Sequence, residues 1–281
     1  MRDATDAFRE YLENNPTVAV SFENQFILGA NYAFTYDDLQ NPDKKGTTYF
    51  RGIIDLSGNL AYALFKVFSD RSSTPEDPYT IFGVPFSQYL MFNPEFRYYR
   101  KIGAKNVIAT RALIGVGIPV GNSRVLPYIK QFFAGGTNSV RSFVARTIGP
   151  GSYLAPVENL GVDQTGDIRL EFNAEYRFNF TRRFLGAAFV DVGNVWLRNV
   201  DPERPGGDFQ LNRFYKEFGI GTGIGFRFDL QVLVFRLDMA WPLYVPYLEE
   251  GDRWVIGDFN IFNGEWRRKN LIWNLAIGYP F

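Results

Sequence analysis

The chain has 281 residues, no cysteine and no histidine, and thirty basic side chains against thirty acidic ones. Disulfides, thiol catalysis, Ser-His-Asp triads and the usual zinc and haem ligands are thereby excluded, and zero net charge with an isoelectric point near 6.4 lacks the basic excess of a nucleic-acid binder. Aromatic residues make up 17%, with 28 phenylalanines and 16 tyrosines, yet no stretch approaches the roughly 18 uninterrupted apolar residues of a membrane helix.

Residues 1–20 read as a short helical or linker segment. Met1 to Asn15 is charged and lacks the apolar core of a signal peptide, so a protein living outside the cytoplasm would carry further residues ahead of it. Thr5 to Asn14 has the pattern of a short amphipathic helix stopped by Pro16. From there the period changes to two. Strands are predicted at Phe22–Tyr36, Tyr49–Ser57, Phe92–Arg100, Val107–Val116, Asp167–Asn179, Phe184–Trp196, Tyr215–Phe228, Val232–Trp241 and Leu271–Phe281. The clearest is Asp167–Asn179, whose odd positions are Asp, Arg, Glu, Asn, Glu, Arg, Asn and whose even positions are Ile, Leu, Phe, Ala, Tyr, Phe. A helix with 3.6 residues per turn would wind both sets around its cylinder, whereas a strand separates them.

Nine strands with one polar and one apolar face suit either a soluble sandwich or a membrane barrel. Several run eleven to fifteen residues, where soluble strands average about five or six and a tilted membrane strand needs about nine to eleven. The apolar face carries aromatics near strand ends (Tyr32, Tyr36, Tyr98, Trp196, Trp241, Trp273, Tyr279), as at two membrane interfaces. The expected class is an all-β transmembrane antiparallel β-barrel occupying residues 21–281. Tight joins near Gly103-Ala104, Thr181-Arg182 and Leu230-Gln231 alternate with long connections at Pro119–Gly166, Arg198–Arg213 and Val245–Asn270, the short-turn, long-loop pattern of outer-membrane barrels. That parity makes Asp37–Gly46 a periplasmic turn and Gly58–Val84 an extracellular excursion with a short helix at Leu60–Ser69.

Three features of the inner face invite function. In Tyr215–Phe228 the inward positions include Gly219, Gly221, Gly223 and Gly225, a bare strip that either leaves room for something packed inside the barrel or permits tight curvature. In the long connection, Gly135-Gly136-Thr137-Asn138-Ser139-Val140-Arg141-Ser142-Phe143 puts one arginine at a bent tip, solvated or docked. Glu171, Glu175 and Asp191 are inward, and a turn centred near Thr181 would set Glu171 across from Asp191. Inward carboxylates could be paired catalytic acids, but histidine is absent and inward arginines such as Arg97 and Arg169 stand two residues along the strand from Glu95 and Glu171, which favours ion pairing over catalysis.

Val140-Arg141-Ser142-Phe143 resembles the Val-Arg-Gly-Phe loop motif of the BamA and TamA type outer-membrane assembly proteins. Phe189-Val190-Asp191-Val192-Gly193 is similar to their Phe-x-Asp-x-Gly strand, and Gly221-Thr222-Gly223-Ile224-Gly225-Phe226, Arg236-Leu237-Asp238 and Ile277-Gly278-Tyr279-Pro280-Phe281 resemble their last three strands. The resemblance runs from about Leu126 to Phe281; Ser142 stands where the family usually has glycine. It implies that the loop at about 119–165 folds into the lumen, that Arg141 meets Asp191, and that Glu175 aligns with a second acidic partner, whereas the register from a turn near Thr181 points to Glu171 beside Asp191 instead. It further implies that Tyr279 and Phe281 belong to a C-terminal strand signal, the plainer reading being a last strand that closes the barrel. The family's barrel has sixteen strands, so nine are expected to be its C-terminal portion, unable to close antiparallel all round. The function implied is assembly or insertion of outer-membrane proteins, with a two-partner-type secretion pore as the alternative. No catalytic activity, metal or cofactor is expected. The partners would be outer-membrane lipids, unfolded outer-membrane protein clients and periplasmic or lipoprotein assembly factors, not nucleic acid, in the outer membrane of a Gram-negative-type cell.

Overall fold

The computed structural model describes residues 9–10, 12–13, 16–39, 41, 44–69, 71–74, 77–103, 105–156 and 164–281. Its centre is one nine-stranded antiparallel sheet in sequence order: β1 (Gly29–Asp37), β2 (Gly46–Ser57), β5 (Tyr89–Ile102), β6 (Asn106–Pro119), β7 (Ile168–Asn179), β8 (Phe184–Trp196), β9 (Gly219–Asp229), β10 (Val234–Tyr244) and β11 (Ile272–Ile277). The excursion between β2 and β5 holds helix α2 (Asn59–Phe68) and a small hairpin of β3 (Thr80–Ile81) and β4 (Val84–Pro85). Short helix α1 (Pro16–Ser21) precedes β1, and α3 (Gly264–Asn270) precedes β11. No helix among the described residues is long and apolar enough to cross a membrane; the strands cross it, and the chain is a transmembrane β-barrel portion.

Strand alternation sorts the side chains. Outward rows such as Tyr32, Phe34 and Tyr36 on β1 and Trp273, Leu275 and Ile277 on β11 are exposed, as lipid-facing rows must be. Inward rows on β6 to β10 are buried, including Arg111, Glu171, Asn173, Glu175, Asp191, Arg227, Arg236 and Asp238. Charged groups survive there because a second layer lies inside the sheet: the β6–β7 connection folds back, and Phe132, Ala134, Val140, Phe143 and Ile148 form an apolar cluster with Val195 of β8 and Val245.

Several boundaries differ from expectation. Pro16 opens α1 rather than ending a helix, since a first-turn proline gives up no intrahelical bond; the expected helix at Thr5–Asn14 falls largely outside the described residues. The first strand begins at Gly29, not Phe22. Tyr215 and Glu217 are off the strand, because a 3-10 turn at Phe214–Lys216 delays β9 to Gly219. Ala104 of the β5–β6 turn, residues 40, 42 and 43 of the β1–β2 turn, residues 70, 75 and 76 of the excursion and 157–163 of the long loop also lie outside the described residues.

The β7–β8 register is shifted as well. Asn173, not Glu171, pairs with Asp191, and Glu171 pairs with Gly193. The turn spans Phe180–Phe184, with the Phe180 and Thr181 amides both donating to Phe184 O at 3.0 Å. Its centre is Arg182 rather than Thr181, which displaces the pairing by two residues and preserves the faces.

Candidate functional site

The loop is shaped before it meets the wall. Gly135 and Gly136 have φ of 91° and 92°, a left-handed backbone open to glycine, and a Cβ on Gly135 would strike the Val144 carbonyl. The Gly136 amide donates to Phe143 O at 2.8 Å, Ser139 N to Gly136 O at 3.1 Å and Phe143 N to Val140 O at 3.0 Å. These bonds close a compact tip, with Val140 and Phe143 in the apolar cluster and Arg141 aimed at the wall.

Arg141 is buried and surrounded by carboxylates from three strands. Its Nε and Nη2 donate to the two oxygens of Asp191 on β8 at 2.8 and 3.0 Å, and its backbone amide reaches Asp191 Oδ2 at 3.1 Å. Nη1 donates to Glu175 Oε2 on β7 at 2.6 Å and to Asp238 Oδ2 on β10 at 3.3 Å. The guanidinium carbon stands 3.4 Å from the centre of the Phe189 ring, close enough for cation–π attraction. Asn274 of β11 donates to the Arg141 carbonyl at 2.9 Å. A planar guanidinium suits such a site because its fixed fork grips a carboxylate with two parallel bonds.

A wider network holds these acids. Arg227 donates to Asp238 and to both Glu175 oxygens, at 3.3 and 3.2 Å, and Arg177 Nε donates to Glu175 Oε1 at 2.8 Å. Asn173 bridges the Ser139 carbonyl, at 3.0 Å, and Asp191 Oδ1, at 2.9 Å. Arg236 donates to Thr137 O at 2.9 Å and Asn138 Oδ1 at 2.6 Å, so the tip is gripped from β10 as well. Glu171 is not a partner of Arg141. With Gly193 opposite it, the carboxylate instead accepts from the Ser139 hydroxyl, from Arg111 at 3.2 Å and from Arg169 at 2.8 Å.

The glycine strip divides into two uses. A Cβ on Gly219 would overlap Ile148 and press Phe143, and one on Gly221 would overlap the Ser142 side chain; these two glycines make room for the loop. A Cβ on Gly223 would strike the Met239 carbonyl and the Phe189 ring, and one on Gly225 would strike Asp238 and Arg227. Those two therefore clear space for the wall's own network, so room for a packed element accounts for only half of the strip.

The end of the chain also departs from expectation. Leu271–Phe281 is not one outward-alternating strand: β11 stops at Ile277, and Gly278 turns the backbone with φ of 87°. Arg177 then lies 4.6 Å from the Tyr279 ring and 5.4 Å from the buried Phe281 ring, while Arg111 lies 5.2 Å from Phe281. Arg177 also donates to the Phe281 carbonyl at 3.1 Å. These aromatics are drawn to inward arginines rather than lipid because the cations offer their faces a partner. Trp196, expected at a membrane interface, is fully buried at the end of β8 among Phe209, Phe214 and Phe218. Its Nε1 donates to Glu217 at 2.7 Å. Burial pushes the Glu217 carboxyl above the usual range, against the opposing Trp196 hydrogen bond and the Arg213 charge.

Sequence reasoning passed over Asp238, Asn274 and the Phe189 ring as groups around Arg141. Asp238 carried a signal, since alternation puts it inward next to Arg236 and opposite Gly225. It also passed over a cleft of about 760 Å³ between the loop's Ser142 and Phe143 and the β10–β11 connection, lined there by Tyr247, Trp254 and Trp266.

The sequence profile of the Omp85 superfamily domain matches residues 71–264. Among solved structures, the chain is similar to BamA from Haemophilus ducreyi lacking POTRA domains 1-3, at 15% identity and a TM-score of 0.53. That similarity covers 88% of this chain and 42% of the BamA chain, so the present chain spans less than half the length of that structure.

Proposed function

Because the chain belongs to the Omp85 superfamily, we propose that it forms the C-terminal portion of the barrel of an outer-membrane factor that helps fold or insert other outer-membrane proteins, without chemistry of its own. The observation that carries this reading is Arg141, held by carboxylates of β7, β8 and β10 and by an amide of β11. One loop residue thus sets the spacing of the strands beside the outer edge of β11, which pairs with no strand but β10 among the described residues and where a client strand can add its backbone. In this reading Val140, Ser142 and Phe143 seat the tip, Asp191 and Glu175 are its lumenal partners, Glu171 anchors Ser139, and the partners are lipids, unfolded clients and periplasmic or lipoprotein factors. The inward carboxylates are engaged by arginines, namely Glu95 by Arg97, Glu171 by Arg169 and Glu175 by Arg177, which leaves little basis for a pair of catalytic acids.

The test is depletion of the full-length protein in its own cell, followed by quantification of other barrels in the outer membrane. Their loss supports assembly. Unchanged barrels with a single secreted protein retained in the periplasm would instead identify the secretion pore.

A further inference from the structure

Helix α2 is apolar nearly all round. Of Asn59–Phe68 only Asn59 and Lys66 are polar, and Asn59 is tied down, donating to the Ser57 and Tyr89 carbonyls at 3.2 and 3.3 Å. One side of the helix packs: Phe65 stacks on Tyr79 and Phe86, and Tyr62 tilts against Tyr79, with ring centres 5.2, 5.9 and 5.7 Å apart. The other side meets nothing among the described residues. Leu60, Val67 and Phe68 are 76%, 75% and 83% exposed, with Leu64 exposed beside them, and at 100° per residue these four share an arc of about 100°. A stripe of this width in water carries a large apolar area uncompensated.

Its place in the fold identifies what covers it. The outward rows of β2 and β5 end at Leu56 and Leu90, both exposed and apolar. The extracellular ends of β10 and β11 have the outward tryptophans Trp241 and Trp273, whereas β2 and β5 have none at theirs. The helix begins two residues beyond β2, so it lies at the level where these lipid-facing rows end. Helix α2 packs over the buried Phe86, three residues ahead of β5, which holds it against the end of that strand. Lys66 is exposed and stands about 150° round the helix from the centre of the stripe, where its long stem can carry the ammonium to a phosphate-bearing headgroup.

We propose that α2 is an interfacial helix whose Leu60, Leu64, Val67 and Phe68 stripe is seated among the acyl chains of the outer leaflet, replacing the aromatic girdle over β2 and β5. It fixes the depth of the barrel wall away from the β11 edge, and it does so whichever client or cargo the barrel handles.

The absence of cysteine makes the test direct. Leu64→Cys and Val67→Cys, each carrying an environment-sensitive fluorophore, are reconstituted in the full chain into phosphatidylcholine vesicles with nitroxides on shallow acyl positions. Leu211→Cys, on an exposed residue of the β8–β9 loop, is the aqueous reference. Seating in lipid gives at least about threefold stronger quenching by the nitroxide lipid than at the reference, with weak quenching by aqueous iodide. Iodide quenching equal to that at Leu211 would overturn the proposal by placing the stripe in water. Protection from both quenchers would overturn it equally, by showing a protein, such as a second copy, on that face.

Discussion

Arg141 carries a buried charge from the loop into contact with three carboxylates, and the number three has consequences. Breaking a buried pair by removing one partner costs on the order of 3–5 kcal/mol, so Arg141→Ala is expected to lower the stability of the barrel in detergent by about that amount, read by urea unfolding monitored on tryptophan fluorescence. Arg141→Lys keeps the charge but not the two-pronged grip on Asp191, and its unfolding midpoint should fall between wild type and alanine. With only Asp191 as partner, the exchange Arg141→Glu with Asp191→Arg would recover stability. With Glu175 Oε2 at 2.6 Å and Asp238 Oδ2 at 3.3 Å from the same guanidinium, the exchanged glutamate faces two like charges, and the double variant is expected to stay at least as unstable as Asp191→Arg alone. Recovery to wild-type stability would show that Glu175 and Asp238 contribute nothing to the lock. At this scale the alternation of Ile168–Asn179 and Phe184–Trp196 is informative about which face Glu175 and Asp191 occupy. It is silent on which inward groups meet across the lumen, and that is why Asp238 was passed over and Glu171 was counted among the candidate partners of Arg141.

Elements add constraints that single residues do not show. The loop and β9 are fitted at one point, where Ser142 presses on Gly221. Gly221→Ala should destabilise by about 1–3 kcal/mol through overpacking, and Ser142→Gly in the same chain should restore most of it, a coupling measurable by a double-mutant cycle; additive losses would mean that the two do not touch. On β11 the informative residue is Gly278, at φ of 87° with open space around a Cβ. Gly278→Ala is therefore a purely backbone perturbation of about 1–2 kcal/mol, and it should free the Tyr279 and Phe281 rings from Arg177, detected as increased carboxypeptidase cleavage of the tail. The β8–β9 connection is expected to respond to pH. The buried Glu217 carboxyl has a raised pKa, so the folded loop holds that proton more tightly than the unfolded chain does. The stabilisation is present at acid pH and is lost as pH rises through the raised value. Limited proteolysis of this loop should accordingly be slower at pH 5 than at pH 8, and Glu217→Gln should flatten the difference. Strand identity was legible throughout because the period of two is strong. Strand ends were not, since a 3-10 turn before β9, a five-residue turn after β7 and the bend at Gly278 are set by local backbone geometry and by partners distant in sequence.

Across the whole molecule, β1 and β11 are the two ends of one sheet, with no pairing between them among the described residues. The half from β6 to β11 has an interior made of its own loop, whereas β1 is exposed on both faces along its length. The architecture was readable from nine amphipathic strands and their alternating connections. The filled interior was not, because a loop's destination is a tertiary fact that no periodicity encodes. That destination also imposes a chronology. The groups around the tip extend from Arg111 to Asn274, and the Asn274 bond to the Arg141 carbonyl joins residues 133 positions apart. Contacts of such separation form late, after the entropy of closing the intervening chain has been met. The tip can be completed only once the last strand has arrived, so protection of the loop from protease and docking of β11 are one kinetic event. In refolding from urea, both should appear with the same rate constant, and Asn274→Ala should slow the two together.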